Sequence, residues 1–83
     1  MATAHTFTLT IARVDEPVFV GEAISVLVPA ADGMMEVLAQ HTPLITNLKA
    51  GTLTVTDAEE KKHNYDIYAG TIEIAHNMVT ILI

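Results

Sequence analysis

Thr6-Phe7-Thr8-Leu9-Thr10-Ile11 alternates hydroxyl and apolar side chains residue by residue. A period of two is what a β-strand needs to bury one face and wet the other, because successive side chains leave the backbone on opposite sides. The same period recurs downstream. Ile24, Val26 and Val28 alternate with Ala23, Ser25 and Leu27, and Leu53 and Val55 alternate with Thr52, Thr54 and Thr56. Tyr65, Ile67 and Ala69 make a further run, followed by Ile72 and Ile74 and then by Val79, Ile81 and Ile83. Threonine and β-branched residues fill these runs, as a pleated, half-buried surface favours.

Punctuation comes at short intervals: Asp15-Glu16-Pro17, Gly21, Pro29, Asp32-Gly33, Pro43, Gly51, Gly70 and His76-Asn77. Alternating runs with turn signals this close together predict an all-β fold, a two-sheet β-sandwich or flattened barrel of about eight to ten short strands. A helix over Ala31 to Gln40 is interrupted by Gly33 and stopped by Pro43, which leaves no room for three turns. Asp57-Ala58-Glu59-Glu60-Lys61-Lys62 reads as a charged hairpin loop. With no linker, repeat or low-complexity segment, residues 1–83 are expected to form a single domain.

Ten acids against four bases give a formal charge of -6, the wrong sign for neutralising phosphates, so nucleic acid and anionic lipid are poor partners. There is no cysteine, hence no disulfide framework and no thiolate zinc site. Met1-Ala2-Thr3-Ala4-His5 lacks the basic and apolar regions of a signal peptide, and no run approaches the ~18 apolar residues of a spanning helix. A soluble or peripheral protein without direct membrane insertion is expected. Hydrophobic residues make up 51% of the chain and charged ones 17%, which is apolar for so short a domain and implies that part of the exterior is covered. Leu27 opposes Val26 and Val28, and Met78 and Leu82 oppose Val79, Ile81 and Ile83. One face of these strands fills the interior; the other needs a second layer or a partner.

No catalytic, cofactor or metal constellation emerges from the residues. His5, His41, His63 and His76 are dispersed without ligand spacing and read as surface or turn residues. Asp15, Glu16, Asp32, Asp57, Glu59 and Glu60 lie in turns, while Glu22, Glu36 and Glu73 fall on the polar side of the alternation. Ser25 is the only serine and lies mid-strand, and the four glycines are isolated, so neither a nucleophile with its base nor a phosphate loop is present in the pattern. The stretch from Met34 to Leu44 is the most informative. In a strand only one of Met34 and Met35 can face the core, which leaves the other for a contact surface, and Pro43 suits an edge or a bend.

Taken in order, these segments resemble the N-terminal β-sandwich of the epsilon subunits of F-type ATP synthases, called delta in mitochondria. The residues carrying the likeness are Phe7-Thr8-Leu9-Thr10-Ile11, Val18-Phe19-Val20-Gly21-Glu22-Ala23, Val26-Leu27-Val28-Pro29, Asp32-Gly33 and His41-Thr42-Pro43-Leu44. Leu48-Lys49-Ala50-Gly51, Ala69-Gly70-Thr71 and Asn77-Met78-Val79-Thr80-Ile81-Leu82 complete it. Gln40 stands where the family has glycine, Ala39 and Ala50 where it has proline, and Met34-Met35-Glu36 continue its Gly-rich turn.

The resemblance implies a non-catalytic rotor subunit that docks on gamma and on the c-subunit ring and couples ion-driven rotation to ATP synthesis. Such a subunit would be peripheral, on the cytoplasmic face of the inner or plasma membrane. It places Asp32, Gly33, Met34, Met35 and His41 at the ring and Leu27, Met78 and Leu82 at gamma. The family's C-terminal helical hairpin, with its inhibitory and ATP-binding functions, has no counterpart in these residues and is not carried over. The competing expectation is a free-standing β-sandwich that self-associates or binds a small ligand between its sheets.

Overall fold

The computed structural model describes residues 5–83; the signal-peptide reading of Met1–Ala4 lies outside them. Eight strands follow one another: β1 (Phe7–Arg13), β2 (Glu16–Ala30), β3 (Gly33–Leu38), β4 (Leu44–Leu48), β5 (Gly51–Asp57), β6 (Lys62–Ile67), β7 (Gly70–Ala75) and β8 (Met78–Leu82). All are hydrogen-bonded into one sheet that folds over itself. The N-terminal half of β2 pairs with β1, which runs parallel to β8; β7 and β4 follow antiparallel. A single contact, Ala30 to Leu48, returns from β4 to β2 and closes the path. The C-terminal half of β2 lies between β3 and β5, and β6 adds to β5. The molecule is therefore a flattened barrel of two layers joined by β2.

Between the layers sit the residues that the alternation marks. Phe7, Leu9, Ile11, Val26, Val28, Leu53, Val55, Ile67, Ile72, Ile74, Val79 and Ile81 are all buried, with Met35, Phe19 and Tyr65 packed against them. Among the described residues no polar or charged side chain is buried there. The strands are held by apolar burial and backbone ladders.

Three expectations give way. β2 is 15 residues long, so Pro17 and Gly21 do not end a strand. Pro17 is tolerated because its partner Ala12 turns its backbone to the β8 side, where its carbonyl accepts the Ile83 N–H, so no ladder bond across β1–β2 calls for a donor at Pro17. A second shift, between Ala23 and Ser25, turns the chain so that Ala23 is buried and Ile24 only half so. The run through Tyr65 and Ile67 stops there, leaving Ala69 exposed outside the strand.

Two turns depend on their residues. His76 and Asn77 join β7 to β8 with φ of 52° and 59°, the paired positive values of a two-residue hairpin loop that matches strand twist. Gly33 opens β3 at φ 132°, which a side chain would strain.

Candidate docking surfaces

The first layer turns outward the residues that its core positions leave. Paired residues point to the same side, so the register defines rows across the sheet. Thr8 lies between Glu22 and Met78, and Met78 is followed by Ala75. In the next row Val20, Thr10, Thr80, Glu73 and Ile45 follow one another. A third row runs Ala12, Leu82, Thr71, Asn47. Val20 is 67% exposed, Ile45 73%, Met78 56% and Leu82 54%, and all four stand on this one face. With strands ~4.8 Å apart and ~3.3 Å per residue, the four span about 19 Å by 13 Å. Between them lie threonines, whose methyl groups extend the apolar area, and one central carboxylate, Glu73. Glu22, at the rim, accepts hydrogen bonds from Thr6 Oγ1 at 2.9 Å and Thr8 Oγ1 at 2.8 Å.

Of the three residues expected at gamma, Met78 and Leu82 share this face. Leu27 does not. It lies on the outside of the second layer, between Glu36 of β3 and Thr54 of β5, and is 37% exposed. Sequence reasoning missed Val20 and Ile45. Their signal was available in part: Ile45 alternates with Leu44 and Thr46, but only the β1–β2 register places Val20 beside Thr10.

The residues expected at the ring divide between two places. Asp32 and Gly33 form the tip of the β2–β3 hairpin, where Ala30 faces Gly33, and exposed Met34 follows. Met35 turns inward and packs on the core. His41 lies beyond the other end of β3, roughly 16 Å away along a strand rising ~3.3 Å per residue. Its Nδ1 is 2.7 Å from the carbonyl of Thr42. Gln40 adopts φ 62°, and its N–H donates to Asn77 Oδ1 at 2.8 Å. Asn77 Nδ2 in turn donates to the carbonyl of Thr6 at 2.9 Å, so this loop is pinned to the β7–β8 turn. Gln40 thus holds a left-handed backbone that glycine adopts without steric cost.

At the β5–β6 hairpin, His63 Nε2 and Asp57 Oδ2 are 2.8 Å apart. Asp57 Oδ1 also accepts the N–H groups of Glu59 and Lys61 at 2.8 and 3.0 Å. The hydrogen bond from His63, reinforced by backbone N–H groups, holds the Asp57 carboxyl below its ordinary value of 3.8. Phe19 lies against the His63 ring, centroids 5.7 Å apart. The pair staples the hairpin and ties it to β2. No group of three or more metal-ligating side chains occurs among the described residues. A cleft of about 500 Å³ opens where the ends of the two layers meet, lined by Arg13 and Ile83 at the ends of β1 and β8 and by Asp66, Ile67, Tyr68 and Ala69 at the end of β6.

The described residues thus form a small flattened barrel, one layer of which turns a mixed apolar and threonine face outward. Residues 6–83 match the family described as ATP synthase, Delta/Epsilon chain, beta-sandwich domain, and the chain belongs to that family. The ATP synthase epsilon chain of Protochlamydia amoebophila is 40% identical over 76 residues, which cover 92% of this chain and 52% of that one. That of Bordetella parapertussis is 34% identical over 82 residues, 99% of this chain and 56% of that one. The chain thus spans about half the length of the curated relatives it matches. Among solved structures, the Euglena gracilis mitochondrial ATP synthase, comprising OSCP, F1 and c-ring, contains a chain that superposes with a TM-score of 0.88. That match has 26% identity and covers 99% of this chain and 52% of the other. A chain of the Tetrahymena thermophila mitochondrial ATP synthase central stalk and c-ring superposes at 0.78 with 11% identity, over 98% of this chain and 65% of the other, a likeness of fold.

Proposed function

We propose that this domain is the rotor-docking part of an epsilon subunit in the central stalk of a rotary ATP synthase. The outer face of the first layer packs on gamma, with Val20, Ile45, Met78 and Leu82 as its apolar contacts. The tip Asp32-Gly33-Met34 meets the polar loops of the c-ring, and the domain couples ring rotation to gamma without chemistry of its own. The observation that carries this reading is the clustering of four exposed large apolar side chains on one layer of a family member. A net charge of -6 favours protein over anionic lipid as the surface it meets, and in this reading the domain is peripheral, on the cytoplasmic side of the membrane.

Isothermal titration of the cognate gamma subunit tests it. Ile45→Arg and Met78→Arg each put an unpaired charge into the contact and are expected to weaken binding at least tenfold. Leu27→Arg, on the other layer, is expected to leave binding within about twofold. Absence of a complex with wild-type protein, or equal loss from Leu27→Arg, would reject the assignment.

A further inference from the structure

We propose that the open edge of β6 is a self-complementary pairing surface, on which a second copy of this chain adds its own β6 in antiparallel register about Asn64. Among the described residues β6 pairs with β5 alone, so its other edge is free.

The phase of the ladder determines what that edge presents. The Asp57 N–H donates to the Lys61 carbonyl at 2.9 Å, so this pair is hydrogen-bonded. Bonded and non-bonded pairs alternate along an antiparallel ladder, and His63, Tyr65 and Ile67 therefore direct their backbone groups to β5. Lys62, Asn64 and Asp66 direct theirs outward. Their side chains fit this phase, since non-bonded pairs bring side chains closer. Thr52 Oγ1 donates to Asp66 Oδ1 at 2.9 Å, Thr54 Oγ1 to Asn64 Oδ1 at 3.0 Å, and Lys62 Nζ to Thr56 Oγ1 at 3.3 Å.

A two-fold axis through Asn64 sets Asn64 opposite the second copy's Asn64 and Lys62 opposite the second copy's Asp66, twice. All these residues stand on the same exposed face of the second layer. Each matched position exchanges two backbone hydrogen bonds, about six in all. A charged edge ordinarily repels another strand. Here the two signs lie symmetrically about the centre, so the antiparallel copy is attracted and a parallel one is not. The free edge of β3 lacks this property: an antiparallel copy centred on Glu36 brings the two Glu36 carboxylates together, and one centred on Met35 sets Glu36 opposite Met34, with no opposite charge to meet. The contact leaves Val20, Ile45, Met78 and Leu82 uncovered and is independent of the rotor reading.

Sedimentation equilibrium of the 83-residue chain over micromolar to millimolar concentrations, with amide exchange of β6, is the test. A monomer–dimer equilibrium is expected, with Lys62, Asn64 and Asp66 amides protected as the dimer fills. Lys62→Glu and Asp66→Lys each place like charges opposite one another twice and are expected to weaken dimerisation about tenfold. An equimolar mixture of these two variants restores both pairs and is expected to associate as wild type does, as is the double variant. Circular dichroism confirms the fold of each. A chain monomeric at millimolar concentration overturns the proposal. So does a dimer indifferent to both reversals, or one that the mixture fails to rebuild.

Discussion

Gly70 shows how one missing atom admits a strand. A Cβ there would stand 2.5 Å from the carbonyl oxygen of Leu82, which is backbone and cannot turn aside. Gly70→Ala is therefore expected to cost about 1–3 kcal/mol, readable as a fall of several degrees in Tm. Gln40 is the converse case. It holds φ 62° in a region where a side chain is strained, and the bond that keeps it there comes from its backbone N–H to Asn77. Gln40→Gly retains that bond and relieves the strain against a larger loss of chain entropy, so thermal unfolding should show a gain of about 0.5 kcal/mol. In both places the residue type was visible in the sequence. The reason for it was not, because Leu82 and Asn77 lie far along the chain and meet these positions only after folding.

The β5–β6 hairpin is the element where titration matters. The folded state holds Asp57 below 3.8, so its carboxylate contributes stability at and above that pH, and the contribution disappears as pH falls below 3.8 through the lower folded value. Amide exchange of β6 should then accelerate in acid, and Asp57→Ala should remove the part of that pH dependence which belongs to this hairpin. The Asp57–Lys62 segment was legible as a charged turn; its closure by His63, six residues on, was not, since a lone histidine carries no spacing signal. β2 failed for a related reason. Residues such as Pro17 and Gly21 often end strands, but both are paired with β1 inside one 15-residue strand that also takes two register shifts. A bulge leaves no mark in the alternation beyond an apparent change of face, as between Ala23 and Ile24.

For the whole molecule, the separation of Asp32 and His41 is decisive. A cysteine at Met34, beside the hairpin tip, should cross-link to a c-subunit loop in the assembled enzyme, and one at His41 should not. Equal yields would mean that the ring reaches both ends of β3, some 16 Å apart. Period-two runs such as Phe7-Leu9-Ile11, Leu53-Val55 and Val79-Ile81 by themselves determined the all-β class and most of the core. Alternation is a local consequence of backbone geometry and needs no distant partner. Which outward residues share a surface was decided only by tertiary structure. Met78 and Leu82 join Val20 and Ile45, while Leu27 departs to the other layer, because strand order and register belong to pairings between segments as distant as β1 and β8. No single segment contains that information.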